Sequence, residues 1–289
     1  MQAIRLRTEY LITPIGIDIP TPRLFWNCEG GTKQTAYEIQ AWDDQRNTLW
    51  SSGKVSSRSM RCVWGGEPVP PKTQVRWKIR LWDETDQCGD WSESGFETGI
   101  DTWKATWITG NYKVDKRQRY SVDCFRKCFD VTSVARARLY ITACGLYEAT
   151  LNGQKCGDFV MAPGHTDYRK RVQYQTYDVT ESLAEGENVL TVQLADGWFR
   201  GSCGAWGIKN QYGSQTKLLV QLEITHKDGS IQTVLSDKTW QWSNDGPIRF
   251  ADNKDGEIYD AAAQPSYRAY AAETSHPVIP TASNNVPVT

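Results

Sequence analysis

From Asp196 to Gly213 the chain reads DGWFRGSCGAWGIKNQYG, a stretch with five glycines set between two strongly alternating segments. A long segment without regular structure is uncommon in a compact domain, and such segments are often functional where they occur. Trp198, Trp206 and Tyr212 offer flat apolar faces of the kind on which the C–H side of a sugar ring stacks. Asp196, Arg200 and Asn210 offer acceptors and fixed-geometry donors for hydroxyl groups. Carbohydrate contact is therefore one reading of this segment. The other is architectural: Trp198 and Trp206 cap the end of a sandwich, with Asp196 and Arg200 paired beneath them.

A second polar stretch, Pro163 to Arg171, places Asp167 and Tyr168 before three bases and is a further candidate sugar-contacting surface. His165 within it lacks any accompanying Ser or Cys nucleophile signature, so a hydrogen-bonding spacer is the expected role. A third stretch, Asp252 to Asp260, concentrates carboxylates and an amide, the oxygen ligands that calcium prefers. Its spacing does not match an EF-hand loop, and a solvated turn that starts a strand is expected instead. Glycoside hydrolysis normally needs two carboxyl groups about 5–5.5 Å apart for retention or about 6.5–9.5 Å for inversion. With 34 acidic residues on one scaffold, no local motif selects such a pair. No catalytic residue, metal ligand or cofactor is identified.

The elements that must position these loops are strands. Val75, Trp77, Ile79 and Leu81 alternate with Arg76, Lys78 and Arg80, and Tyr37, Ile39 and Ala41 alternate with Glu38 and Gln40. Such a period of two marks half-buried strands. Leu24-Phe25-Trp26 gives an earlier strand with a potential core anchor. Gly and Pro punctuate the intervals, so residues 1–100 are predicted to form a small immunoglobulin-like or fibronectin type III-like sandwich. Residues 101–265 are again all strand, predicted as a larger, jelly-roll-like sandwich. Leu139, Ile141 and Ala143 share a face there, as do Leu190, Val192 and Leu194, and Leu218, Val220, Leu222 and Ile224. Asn152-Gly153 predicts a tight type I′ hairpin, because both central residues must take positive φ. Asp228-Gly229 predicts a second hairpin, and short helical turns are expected around 179–184. Residues 266–289 are Pro-, Ala- and Ser-rich and read as a linker or as the first strand of a further domain. The fold class expected is all-β, with two consecutive sandwiches.

Composition narrows the function. The 33 basic and 34 acidic residues leave a net charge of −1 without any block of like charge. Nucleic acid and anionic membranes, which both call for a basic footprint, are not expected partners. The first residues lack the apolar core of a secretory signal and no run of 18 apolar residues occurs, so a cytoplasmic protein is expected. The eight cysteines are scattered. Cys124 and Cys128 are the nearest two, and i and i+4 on an extended strand lie about 13 Å apart, too far to bond. Reduced thiols that fill small core gaps are expected.

The runs GLYEATLNGQKCGD, APGHTDYRKRVQYQTYDVT, LADGWFRG and DGEIYDA together resemble the N-terminal region of bacterial α-L-rhamnosidases of glycoside hydrolase family 78. That family shows G-x-Y-E-x-x-x-N-G, matched by Gly145, Tyr147, Glu148, Asn152 and Gly153. Its P-G-x-T-x-Y corresponds to Pro163, Gly164, Thr166 and Tyr168. Its Y-x-T-Y-D-V-T corresponds to Tyr174 and residues 176–180, and its G-W-x-x-G to Gly197, Trp198 and Gly201. His165 departs from the pattern, which often has an aromatic such as Trp there. Upstream, PRLFW, QTAYEIQAW, LWSSGKV, VRWKIRLWD and WSESGFETG resemble the fibronectin-type domain that precedes this region. The resemblance covers about residues 5 to 263. It implies a parent enzyme that removes terminal α-L-rhamnose from glycosides with inversion, using carboxylates in a downstream (α/α)₆ barrel. No helical repeat able to build that barrel is present in this sequence. The chain is thus expected to be a non-catalytic N-terminal portion, inactive alone, that packs against a catalytic domain of the same polypeptide and helps recognise rhamnose-containing glycosides. An independent carbohydrate-binding module is the alternative, and a purely structural spacer a third.

Overall fold

The alternating runs fold as two β units in the computed structural model, which describes residues 1–283. Unit 1 spans Met1–Thr102 and unit 2 Trp103–Ser283. Short helical pieces (Thr180–Ser182 and Gly197–Arg200) are the sole helices among the described residues.

In unit 1, Gln2–Thr8, Arg23–Glu29 and Arg61–Val63 form a three-stranded sheet. A five-stranded sheet carries Thr48–Ser51, Ala36–Asp43, Gln74–Trp82 and Ser92–Glu97 in that order, with Val55–Ser56 paired to Ala36–Asp43. Val75, Trp77, Ile79 and Leu81 all point inward and are essentially fully buried, as the period of two requires. They meet Leu24, Trp26, Ile39 and Ala41 in one apolar cluster. Trp26 satisfies its indole N–H on Gln34 Oε1 at 2.8 Å, and the Gln34 amide donates to the carbonyls of Ser57 and Ser59, both at 3.0 Å. The large anchor therefore enters the core without an orphaned donor.

Unit 2 is a larger sandwich. Its six-stranded sheet runs Gln154–Lys155, Leu146–Leu151, Gly186–Ala195, Asp123–Val131, Gln241–Ser243 and Ala269–Tyr270. The seven-stranded sheet runs Ala272–Glu273, Ile108–Thr109, Lys217–His226, Val134–Cys144, Gln173–Asp178 and Thr281–Ala282, with Ile231–Leu235 beside Lys217–His226. Leu139, Ile141, Leu190, Val192, Leu194, Leu218, Val220 and Leu222 fill the space between the sheets. Val134–Cys144 and Lys217–His226 are buried on both faces, a feature that alternation alone does not reveal. The second face is covered by a further cluster that includes Trp107, Tyr168, Phe199 and Leu219, with Trp103 and Val278 packed on it.

Residues 266–283, expected as a linker or the start of something further, lay strands on unit 2. Ala269–Tyr270 extends one sheet, while Ala272–Glu273 and Thr281–Ala282 extend both ends of the other. The prolines sit between these short strands, where no ladder N–H is needed. The remainder of that expectation, 284–289, lies outside the described residues. All eight cysteines are unpaired. Cys124, Cys144 and Cys156 fill the interior, whereas Cys88 and Cys128 are exposed.

Both predicted hairpins form. Asn152 and Gly153 take φ of 52° and 79°, which satisfies the type I′ turn. The Asn152 side chain does more than tolerate that conformation. Its amide donates to Asn188 Oδ1 at 2.7 Å and to the Ser182 carbonyl at 2.9 Å, and its oxygen accepts from the Val189 N–H at 2.9 Å. Asn188 is fully buried and in turn ties the 184–186 turn through its own amide. Replacing Asn152 by Ala strips three hydrogen bonds and leaves a buried amide short of a partner, so a loss of about 1–3 kcal/mol is expected in urea denaturation. An Asn152→Ala variant as stable as its parent contradicts this account of the turn.

Candidate functional site

The segment after the strand Gly186–Ala195 is organised from its base outward. Gly197 takes φ of 51°, a conformation strained for other residues, which lets the chain turn sharply off the strand. One helical turn follows, Gly197–Arg200, closed by Arg200 N–H to the Asp196 carbonyl at 3.2 Å. The sequence reading placed no regular structure here. The difference arises because Asp196 and Arg200, four residues apart, join their side chains across that turn.

The join is buried. Arg200 Nε donates to Asp196 Oδ1 at 2.7 Å, and Nη2 lies 2.6 Å from the same oxygen. Arg200 Nη1 donates to the Tyr112 hydroxyl, and the guanidinium stands 5.1 Å above the Tyr120 ring. Beyond Tyr112 lies Asp123, with no exposed surface, which accepts from Thr216 Oγ1 at 2.7 Å and Trp242 Nε1 at 2.9 Å. Burial pushes the Asp123 carboxyl up, while Arg200 and its hydrogen-bond donors act against that rise. For Arg200 burial disfavours the charge, yet Asp196, Tyr112 and Asp123 outweigh it and the pKa rises. The guanidinium therefore stays protonated at any ordinary pH.

A second clamp comes from the hairpin Ile248–Asp252/Gly256–Tyr259. Asp252 accepts backbone N–H groups from Ser202 at 2.7 Å, Lys254 at 2.8 Å and Asp255 at 3.0 Å. Gly201 has no room for a Cβ, which would collide with the Asp252 carboxylate. Asp255 gathers Ser202 Oγ at 3.1 Å and the cations Lys209 and Arg119, both at 3.2 Å. The hydrogen bond from Lys209 leads the causes that hold the Asp255 carboxyl below its usual range. The acidic run at 252–260, which the sequence offered as a turn or a calcium loop, thus spends Asp252 and Asp255 on this clamp.

Above the clamp the loop closes on itself. Cys203 and Ile208 exchange two backbone hydrogen bonds of 2.9 and 3.0 Å, Gly204 and Gly207 take positive φ, and Lys254 Nζ donates to the Gly204 carbonyl. Trp206 stands at this tip with 91% of its surface exposed.

The predicted residues therefore separate into three environments. Asp196, Arg200 and Asn210 line one cleft of about 80 Å³ together with Tyr120 and Asp252. That is well below the roughly 300–1,000 Å³ typical of small-molecule sites. Tyr168 is buried, its hydroxyl donating to the Gly164 carbonyl at 3.0 Å and its ring packed on Phe199 and Tyr212. Asp167 pairs with Arg169 at 2.9 Å, and that guanidinium covers Tyr212 at 5.3 Å. Trp198 is half-buried with His165 tilted against it at 5.2 Å, so the histidine supplies the ring contact that an aromatic would. Trp206 alone projects outward. Sequence reasoning missed Tyr112, Asp123 and Asp252 as members of this network. Asp123 carried a faint signal, a carboxylate at the head of an apolar strand.

Two consecutive β-sandwich units, with a long clamped loop on the second, define an all-β, two-unit class of chain. Residues 132–289 match the family model described as Alpha-L-rhamnosidase N-terminal domain, and residues 3–102 match that described as Rha78A-like, N-terminal immunoglobulin domain. The chain belongs to the α-L-rhamnosidase N-terminal domain family. An α-L-rhamnosidase of Formosa agariphila is 37% identical over 281 residues, a match covering 88% of this chain and 30% of that protein. The native α-L-rhamnosidase of Aspergillus terreus superposes with a TM-score of 0.89 at 32% identity, over 96% of this chain and 34% of that one. An α-L-rhamnosidase structure from Dictyoglumus thermophilum gives 0.83 at 30% identity, over 96% and 34% respectively. The chain spans about a third of the length of these relatives.

Burial separates the roles of two residues in the loop. Arg200→Ala strands the buried Asp196 carboxylate and is expected to cost about 3–5 kcal/mol. Trp206→Ala removes an exposed ring and is expected to change stability by no more than about 0.5 kcal/mol. Chemical denaturation of both variants checks the contrast, and a Trp206→Ala loss as large as that of Arg200→Ala contradicts it.

Proposed function

We propose that the chain is the non-catalytic N-terminal portion of an α-L-rhamnosidase, an enzyme that releases terminal α-L-rhamnose from glycosides with inversion. Its role is to scaffold a catalytic domain of the same polypeptide and to present part of the substrate-recognition surface. The observation that carries the recognition role is Trp206, 91% exposed on a tip closed by paired hydrogen bonds and anchored from both sides. An indole left in water forgoes burial worth about 1.5–3 kcal/mol, a cost that a partner or ligand surface would recover. A sugar ring is the partner that suits one flat apolar face left in water. The family membership and the rhamnosidase relatives support the same reading.

The non-catalytic reading is supported by how the carboxylates around the loop are engaged. Asp196 is locked to Arg200, Asp252 is saturated by three N–H groups, and Asp255 is held by Lys209 and Arg119. None is placed to hand a proton to a leaving group across an open cleft. Free thiols at all eight cysteines suit the cytoplasmic, reducing location expected for the parent.

The purified chain is expected to give no release of p-nitrophenol from p-nitrophenyl α-L-rhamnoside. Calorimetry with methyl α-L-rhamnoside is expected to show weak binding that falls at least fivefold in Trp206→Ala. Turnover abolished by one carboxylate substitution overturns the non-catalytic assignment. Binding unchanged in Trp206→Ala removes the tip from the recognition surface.

A further inference from the structure

We infer that unit 1 carries a second glycan-binding groove, with Trp42 as its stacking platform. The groove lies within unit 1, measures about 710 Å³, and runs along the strands Gln74–Trp82 and Ser92–Glu97. That volume is within the roughly 300–1,000 Å³ typical of small-molecule sites. Trp42, Asp44, Arg46, Arg76 and Glu93 line it, and the buried Glu97 closes the floor, held by Gln74 Nε2 at 3.0 Å.

Three features set this groove apart from a solvated surface. First, its charges are of both signs and are not spent on one another. Among the described residues, the side chains of Asp44, Arg46, Arg76 and Glu93 make no hydrogen bond or ion pair. Second, the turn that presents Asp44 and Arg46 is fixed. Asp43 accepts from the backbone N–H of Asn47 at 2.8 Å and from its amide at 2.9 Å, and Arg46 N–H returns to the Asp43 carbonyl at 3.1 Å with Arg46 at φ of 69°. Third, the indole at the groove's edge is braced. Lys78 stands 5.7 Å from the Trp42 ring and 4.5 Å from Trp91, and Arg80 continues the ladder at 4.6 Å from Trp91.

This constellation selects its ligand chemically. A hydroxyl donates and accepts at once, so it can bridge a carboxylate and a guanidinium that do not touch each other. The apolar face of a pyranose matches the Trp42 ring. An anionic or cationic ligand meets like charge on one side of the groove, and mixed lining disfavours both. The occupant is therefore a neutral glycan. The groove is a different place from the Trp206 tip and does not depend on that tip's role.

The test uses the full 289-residue chain, isotopically labelled, with its 13 tryptophan indole N–H signals assigned by substitution. The chain is titrated with methyl glycosides of rhamnose, glucose, galactose and mannose, and with glucuronate as an anionic control. Saturable shifts of the Trp42 indole with a neutral glycoside are expected, weakened at least fivefold in Arg76→Ala and in Glu93→Gln and unaltered in Trp206→Ala. Both substitutions fall on side chains without partners, so folding is preserved. Shifts confined to Trp206 overturn the groove while leaving the tip in place. A Trp42 signal silent to every neutral glycoside, or responding best to glucuronate, overturns it as well.

Discussion

A guanidinium sealed inside the second sandwich is the constraint on which the candidate site depends. Arg200 is 5% exposed, and a buried charge persists only where paired and hydrogen-bonded. Asp196, the Tyr112 hydroxyl and the Tyr120 face meet that demand, with the field of Asp123 behind them. These groups come from two separated stretches of the chain, 112–123 and 196–200. Satisfying one cation therefore fixes the strand end at Asp196, the 112–120 segment and the head of the Asp123–Val131 strand together. Buried pairs of this kind add little net stability but exact a heavy penalty when broken, which suits a device that specifies geometry. The tip beyond can remain exposed because its base has nowhere else to go.

The second constraint is apolar. The central strands of the seven-stranded sheet bury both faces, so their outer face needs a covering layer. Tyr168, Phe199 and Trp107 supply it, with Trp198 and Tyr212 at its margin. Aromatic residues that look available for sugar in a one-dimensional reading are thereby divided. Those whose rings lie over Leu219 and Cys144 are core. Trp206, carried past the Cys203–Ile208 closure, is not.

How far the sequence foretold this follows from the range of the forces involved. Strands such as Gln74–Trp82 and Gly186–Ala195 were legible because alternation is written in neighbouring residues. The Asn152-Gly153 turn was legible because positive φ restricts residue type locally. The pairing of Asp196 with Arg200 was anticipated as one of two readings, since four residues separate them. The Asp123–Thr216 and Asp252–Ser202 bonds span 93 and 50 residues, and no local pattern announces them. The same limit hid the covering of Tyr168, which depends on Phe199 arriving from elsewhere. The groove of unit 1 was invisible for a related reason. Its lining joins the loop at 13–15 to the turn after Asp43 and two strands, and only the fold brings them together.

A perturbed carboxyl is often taken as the mark of an acid catalyst, and the second unit shows why geometry must come first. The Asp123 pKa is raised by burial, the property a general acid needs. Yet Asp123 has no exposed surface, and its oxygens already receive Thr216 and Trp242. No substrate oxygen can approach within the hydrogen-bond distance that proton transfer demands. Asp196, also raised by burial, faces the cleft but is joined to Arg200, whose charge favours the ionised form. The one carboxyl with a raised pKa and no direct cation is unreachable, and the one that is reachable is paired. Such an arrangement holds a loop in place: each raised carboxyl is spent on partners within the fold.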